Sequence, residues 1–214
     1  MKTRSRRTIL TISGALIVGL SVIAQPVPVA QGPHHLGKEI SILEDASAKL
    51  DVTQVEKSTG FERSTMDVPN LGVTTSAYWV RFDVLNDTKE DAVILDLQHA
   101  EIEEVDVYLL QSGSIVQLAH TGQNAPLTSR AIAQPEFVLS LPIGRAETAR
   151  VLLRLKSDKQ LQVPLQLHEP SRFSESRSMK NLVIGIYIGI MLVMAFYNLF
   201  VYFSIRDRSY LIYV

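Results

Sequence analysis

Apolar residues are concentrated in two long blocks near the ends of the chain, and apolar and polar residues alternate in the region between them. Residues 8–24 and 182–204 contain no charged side chain. In the middle region, apolar side chains recur at every second position in short runs, which turn residues such as Asn, Asp, Gly and Pro separate. Period-two alternation is typical of β-strands with one buried face. The pattern therefore predicts a mainly β domain between two apolar segments.

Nine runs of the middle region are candidate strands. They are Lys38–Leu43, Leu50–Val55, Tyr78–Leu85, Ala92–Gln98, Glu104–Leu110, Ser114–Ala119, Glu136–Leu141, Thr148–Lys156 and Val163–His168. No amphipathic helical pattern lies between them, which disfavours parallel α/β folds. Many short strands with frequent turn signals are typical of an antiparallel β-sandwich, and this is the predicted fold of residues 38–170.

The first apolar block follows a basic start. Residues 1–7 carry four positive charges and no acidic side chain. A basic segment before an apolar run is typical of a signal peptide, here residues 1–24, with cleavage after Ala24 or alternatively after Ala30. An uncleaved anchor is the rival interpretation, and both interpretations place the following chain outside the cytoplasm. Residues 25–37 are rich in Pro, Gly and Gln and are predicted to be a flexible leader.

The second apolar block, residues 182–204, predicts a transmembrane helix. At about 1.5 Å per residue it reaches about 34 Å, enough to cross a hydrocarbon core of about 30 Å. Gly185 and Gly189 have the spacing that permits close contact between helices. Asn198 is the strongly polar side chain of this block, and in lipid it is expected to find a partner on another helix. These three residues are the predicted helix-packing positions.

Export of the middle domain fixes the orientation of the second block. Residues 171–181 form a short linker on the outside, and the helix then runs inward. Residues 205–214 are expected to be a cytoplasmic loop with two arginines, followed by the opening of another apolar helix that is cut off after a few residues. The chain is therefore expected to be truncated.

Charge and composition exclude several classes of function. The chain has 21 Lys and Arg against 22 Asp and Glu, so it lacks the basic surplus that nucleic-acid binding requires. It contains no Cys, which excludes disulfides, thiolate metal sites and a Cys nucleophile. Gly-rich phosphate loops, zinc HExxH motifs and GxSxG elbows are also missing from the sequence. The sequence therefore predicts no enzyme, no catalytic residue, no metal site and no cofactor.

Alternation along the strands points to one candidate ligand face. It carries Trp79, Arg81, Tyr108 and Arg154, opposite the apolar side chains of the same strands. An aromatic ring can cover the apolar face of a sugar while charged groups bond its hydroxyls. These four residues are the predicted ligand-binding positions.

Other interpretations of this face remain open. Arg81 with Asp83, and Arg154 with Asp106, also fit ordinary cross-strand ion pairs, with the Trp as a packing residue. Glu104 and Asp106 share a strand face, which raises the alternative of a glycoside hydrolase with paired carboxylates. An acidic, solvated strand edge explains the same two residues.

Several short motifs follow one another in a characteristic order. They are Tyr78–Phe82, Val105–Leu110, Phe137–Pro142, Leu153–Ser157, Val163–Leu167, Tyr197–Phe200 and Arg206–Tyr213. Over residues 38–214 this order resembles the bacterial seven-transmembrane receptors with diverse intracellular signalling modules, the 7TM-DISM receptors. The middle domain resembles the second type of extracellular domain in that family.

The resemblance implies a jelly-roll-like β-sandwich that binds a carbohydrate or related small molecule. It implies a receptor in the bacterial inner membrane, with residues 25–181 in the periplasm and with other transmembrane helices or a signalling partner. Family members commonly end in a diguanylate cyclase or histidine kinase, and this sequence contains only the first membrane helix and the start of a second. The expected function is ligand sensing without the output module. A protein-docking or structural module and a non-functional receptor fragment are the alternatives.

Overall fold

The computed structural model describes residues 25–30, 34–126 and 136–205. The predicted signal peptide, residues 1–24, lies outside these residues. So do residues 206–214 of the predicted cytoplasmic segment. In chain order the described strands are β1 (Val27–Pro28), β2 (His34–His35), β3 (Ser41–Asp45), β4 (Glu62–Arg63), β5 (Asn70–Gly72), β6 (Ala77–Leu85), β7 (Val93–Leu97), β8 (Glu104–Gln111), β9 (Ser114–Thr121), β10 (Phe137–Leu141), β11 (Thr148–Lys156), β12 (Leu161–Gln162) and β13 (Leu165–His168). The helices are α1 (Val52–Glu56) and α2 (Pro170–Ile205), and Leu36–Lys38 form a 3-10 turn.

Two sheets pack face to face. The larger sheet has the strand order β4-β3-β6-β11-β8-β9, and β1 lies parallel to the end of β6. The smaller sheet has the order β10-β7-β13-β2, and β12 pairs with β5 as a separate ribbon. Apart from β1, the described strand pairs are antiparallel. The prediction of a mainly β, antiparallel sandwich followed by an apolar helix is confirmed.

Alternating residues of the long strands build the core between the sheets. Tyr78, Val80, Phe82 and Val84 of β6 point into it, as predicted from the period-two pattern. The larger sheet adds Val105, Val107 and Leu109 of β8 and Val151, Leu153 and Leu155 of β11, and the smaller sheet adds Val93, Leu95, Leu97, Phe137, Leu141, Leu165 and Leu167.

One predicted strand is wrong, because residues 52–56 form α1 rather than part of a strand over Leu50–Val55. The carboxylate of Asp51 accepts hydrogen bonds from the backbone N–H groups of Thr53 and Gln54, at 2.8 and 2.9 Å. The side-chain oxygen of Gln54 accepts a bond of 3.0 Å from the backbone N–H of Asp51. This reciprocal capping box satisfies the first donors of a helix and outweighs the strand preference of the valines.

The prediction of a flexible leader over residues 25–37 is wrong for its described part. Val27 and Val29 are buried, and the 3-10 turn buries Leu36. The carboxylate of Asp87 accepts bonds of 2.7 Å from the backbone N–H groups of Val29 and Ala30. These apolar contacts and hydrogen bonds make the segment part of the sandwich despite its Pro and Gly content.

The segment predicted as a linker, residues 171–181, is helical. It forms the first turns of α2, a single helix of 36 residues that is about 54 Å long at 1.5 Å per residue. Phe173 is buried against Ile94 and Val138 on the outer side of the smaller sheet. Among the described residues, α2 is the one helix long and apolar enough to cross a membrane. The membrane helix is therefore joined directly to the sandwich.

We expect Asn86→Ala to lower the free energy of unfolding by about 1–3 kcal/mol, because it leaves buried carbonyl groups without a donor. Asn86 is fully buried, and its amide donates to the carbonyls of Ile143 and Glu90 at 2.6 and 2.8 Å. Urea unfolding of the full chain in detergent, followed by the emission of its single Trp, measures the effect. The exposed Asn124 provides the control substitution. Equal losses in both variants would contradict the role of Asn86.

Candidate functional site

The four predicted ligand residues lie close together on the outer face of the larger sheet, the face turned away from the smaller sheet. Strand register places Arg154 of β11 between Trp79 of β6 and Asp106 of β8. Tyr108 of β8, two residues after Asp106, lies in the next row of the sheet, on the same row as Arg81 of β6. The sheet therefore groups the residues as alternation predicted, and their side-chain contacts decide what each can do.

Trp79 is a packing residue in the structure. It is 1% exposed and forms a second apolar cluster with Val55 and Leu152. The Tyr108 ring stacks against it with a centroid distance of 5.9 Å. The indole ring has no free face for a sugar, which corrects its predicted role as a direct ligand contact. The reason is that α1 covers this part of the sheet, with Val55 on the indole side.

Arg81 and Asp83 do not pair with each other as the alternation suggested. The Arg81 guanidinium lies over the ring of Phe61, 3.9 Å from its centroid, an arrangement that attracts a cation to the ring face. Asp83 instead pairs with Arg150 through two hydrogen bonds of 2.7 and 3.0 Å. Sequence analysis missed Arg150, although it lies four residues before Arg154 and therefore on the same strand face.

Arg154 is the centre of an ion-pair network. Its guanidinium bonds Glu104 at 3.0 Å, Asp106 at 3.3 Å and the carbonyl of Ala48 at 3.2 Å. His120 lies 2.6 Å from the other oxygen of Asp106. The predicted pairing of Arg154 with Asp106 is present, and the guanidinium makes three hydrogen bonds within the protein.

The contacts of Glu104 argue against a hydrolase acid. Burial alone would raise the pKa of Glu104, but hydrogen bonds and charges from Arg154 and Lys156 outweigh it and hold the pKa below its ordinary value of 4.5. A glycosidase acid needs a raised pKa in order to keep its proton near neutral pH.

A polar groove opens at the opposite end of β8 and β11 from this network, beside the pair of Asp83 and Arg150. Its volume is about 370 Å³, and it lies between the β8–β9 turn and the start of β11. Glu56, Asp83, Gln111 and Arg150 supply charged and amide groups to its lining. The volume falls within the range of roughly 300–1,000 Å³ that small-molecule sites occupy. Carboxylate acceptors beside guanidinium and amide donors can bind a ligand that carries both kinds of group.

The predicted helix-packing residues lie on α2. A side chain added at Gly185 or Gly189 would meet no neighbouring atom within 4 Å, so both positions are open to a second helix. Asn198 is partly buried near the C-terminal end of α2. Among the described residues, no group of three or more His, Asp and Glu side chains is arranged to hold a metal ion.

Comparison with known proteins gives two matches to family models. Residues 37–169 match the model described as 7TMR-DISM extracellular 2. Residues 180–214 match the model described as 7TM diverse intracellular signalling. No curated protein matches the chain. The two matched segments correspond to the sandwich and to the apolar part of α2 with the residues that follow it.

We expect Asp51→Ala to loosen α1 and to expose Trp79 to solvent, because the helix loses its N-terminal cap. The emission of the single Trp should shift to longer wavelength, and acrylamide should quench it more strongly. Asp91→Ala, which removes an exposed ion pair with Arg145, is the matched control. Unchanged quenching in Asp51→Ala would show that α1 does not shield the indole.

We expect Glu104→Gln to reduce the loss of stability in acid. Because its folded pKa is lowered, Glu104 contributes stability that is present above its ordinary pKa of 4.5 and is lost as the pH falls through the folded value. The Tm of the wild type should exceed that of the variant near pH 7, and the difference should shrink as the pH falls below 4.5. The exposed Glu101 offers the control substitution, Glu101→Gln. Parallel Tm curves for wild type and Glu104→Gln would contradict the expectation.

Proposed function

The chain belongs to the 7TMR-DISM receptor family, which combines an extracellular sensing domain with transmembrane helices, and on this premise we propose that the sandwich binds a carbohydrate or related polar small molecule and that α2 carries its bound state into the membrane. The proposal places residues 25–181 in the periplasm of a bacterium and residues 182–204 of α2 in the inner membrane. The output belongs to further helices or to a signalling partner.

One observation carries the proposal: α2 is unbroken from its contact with the sandwich into its apolar segment. Phe173 is buried on the smaller sheet, and the same helix continues to Ile205. A helix transmits displacement or rotation along its axis, whereas a flexible linker of the same length would lose it. A ligand acts through such a helix when it binds two arrangements of the sandwich and helix with different affinity.

The polar groove is the proposed ligand site. The charge on Arg81 interacts with those on Arg150, Asp83 and Glu56, so this predicted ligand residue belongs to the electrostatic environment of the groove. Trp79 and Tyr108 support the sheet beneath α1 instead of touching the ligand.

A hydroxyl-rich ligand fits the polar groups of the groove. The carboxylates of Asp83 and Glu56 accept hydrogen bonds from hydroxyl groups, and the guanidinium of Arg150 donates to hydroxyl or ring oxygens. Bonds to charged groups are stronger than neutral ones. Arg150 and Asp83 hold each other in place before a ligand arrives, because two hydrogen bonds already join them. Such preorganisation lowers the entropy cost of binding.

We expect Arg150→Gln to weaken sugar binding by about 10- to 100-fold, the effect of losing a hydrogen bond to a charged group. The measurement is calorimetric titration of the full chain in lipid nanodiscs with a panel of mono- and disaccharides. Arg145→Gln is a matched control, because Arg145 pairs with Asp91 on the exposed surface and does not line the groove. Its affinity should equal that of the wild type.

Two results would contradict the proposed site. A sugar that binds Arg150→Gln as tightly as the wild type would place the ligand elsewhere on the protein. A panel in which no compound binds would remove the support for a carbohydrate and favour the docking role, which cross-linking in intact cells would detect as a captured partner protein.

A further inference from the structure

We propose that Asp96 and His168, covered by Phe173 and Arg177 of α2, form a proton-sensitive latch that holds the membrane helix on the sandwich and releases it when His168 takes up a proton. The latch lies on the outer side of the smaller sheet, on the opposite side of the core from the polar groove. It uses none of the residues assigned to the ligand.

Asp96 is buried and His168 is largely buried, and both side chains have unfilled hydrogen-bonding positions. The side chain of Asp96 is 3% exposed and that of His168 is 12% exposed. The Nε2 atom of His168 lies 3.8 Å from Oδ2 of Asp96, which is beyond hydrogen-bond distance. Among the residues that the structure describes, the Oδ1 atom of Asp96 and the Nε2 atom of His168 have no hydrogen-bond partner. The pair is therefore close enough to interact as charges and is not locked by a bond.

The first turns of α2 cover this pair. The ring of Phe173 packs against the imidazole of His168 with a centroid distance of 5.2 Å. Arg177, one turn further along α2, bonds Glu136 at 2.6 Å and lies 4.0 Å from Asp96. Burial of His168 therefore depends on the contact between helix and sheet.

The charges that face His168 come from three elements. Asp96 on β7 favours a protonated imidazole, whereas Arg177 and Lys180 on α2 disfavour it. Glu136, just before β10, bonds Arg177 and holds that positive charge at the junction. A proton on His168 would be attracted to Asp96 and would compete there with Arg177.

Proton uptake is linked to release by the burial of His168. Burial is the largest influence on its pKa, and together with the charges of Arg177 and Lys180 it outweighs the attraction of Asp96 and holds the pKa below its ordinary value of 6.5. When α2 leaves the sheet, the imidazole regains water and moves away from both α2 cations, so its pKa rises. The state with α2 released therefore binds the proton more tightly.

The sign of the effect follows from this difference in pKa. The docked state is fully favoured above pH 6.5, and its advantage is lost as the pH falls through the lower pKa of docked His168. One proton can change the ratio of docked to released helix by at most about tenfold per pH unit. Acidification thus favours release of α2 without any sugar bound.

The inference deepens one part of the proposed function, the part in which α2 transmits the state of the sandwich. It does not rest on a carbohydrate ligand. The test below is made without any sugar, so its failure would leave the binding proposal standing. Failure of the sugar titration would likewise leave the latch standing.

The test measures the position of α2 in the full chain as a function of pH. Because the chain contains no Cys, two spin labels can be attached specifically at Gln160→Cys in the sandwich and Met179→Cys on α2. Both positions are exposed. Electron–electron double resonance in lipid nanodiscs should give one main distance at about pH 8 and a second, growing distance population at about pH 5.

Two variants and one control decide the outcome. His168→Gln should remove the pH response, and Arg177→Gln should show the released distance already at the higher pH. His120→Gln is the matched control, since His120 contacts Asp106 on the other sheet at 2.6 Å and touches neither Phe173 nor Arg177. It should respond as the wild type does. Circular dichroism at the higher pH checks that each variant folds.

Three results would overturn the latch. The first is a wild-type distance that does not change with pH, and the second is a His168→Gln variant that keeps the wild-type response. The third is a titration of His168 by NMR in the full chain that gives an inflection at or above pH 6.5. This result would remove the link between burial and release. It does not depend on the folding of any variant.

Discussion

The architecture depends on β6 being hydrogen-bonded along both edges and covered on both faces. One edge pairs with β11 over the whole length of the strand, and the other pairs first with β3 and then with β1. One face lies in the core between the sheets, and the other lies beneath α1 at Trp79. A strand in this position tolerates few changes, because each side chain has a fixed neighbour. The candidate ligand groove and the N-terminal segment are both built against it.

Alternation of apolar and polar residues predicted the faces of the long strands and therefore most of the core. It could not predict what covers the outer face, because that depends on a short helix whose capping box overrides the strand preference of its valines. Trp79 shows the result: alternation placed it on the outer face, and α1 makes that position part of a second core. The prediction of a flexible leader was wrong for its described part for a related reason. Its Pro and Gly content indicates a flexible segment, whereas its contacts are with strands far away in sequence.

None of the four predicted ligand residues lines the groove, although one ion pair considered in the sequence analysis is present. Arg154 and Asp106 pair as expected, because neighbouring strands in register bring them together. Arg150 was missed, since the choice of partner for Asp83 depends on side-chain direction as well as on strand face. The helix junction was missed altogether, because Asp96, His168 and Arg177 belong to three elements and no sequence spacing relates them. The candidate ligand groove and the helix junction lie on opposite sheets, and the close-packed core lies between them.

The pairing of β2 with β13 has a consequence for how the protein is made. His35 is opposite Gln166, so the described chain brings its early and late strands together, and the helix begins two residues after the last strand. Contacts between such distant residues form slowly. An exported chain that emerges with its N-terminus first cannot close the smaller sheet until β13 has crossed. By then α2 is already entering the translocation machinery, so completion of the sandwich and insertion of the helix become nearly simultaneous steps of biogenesis.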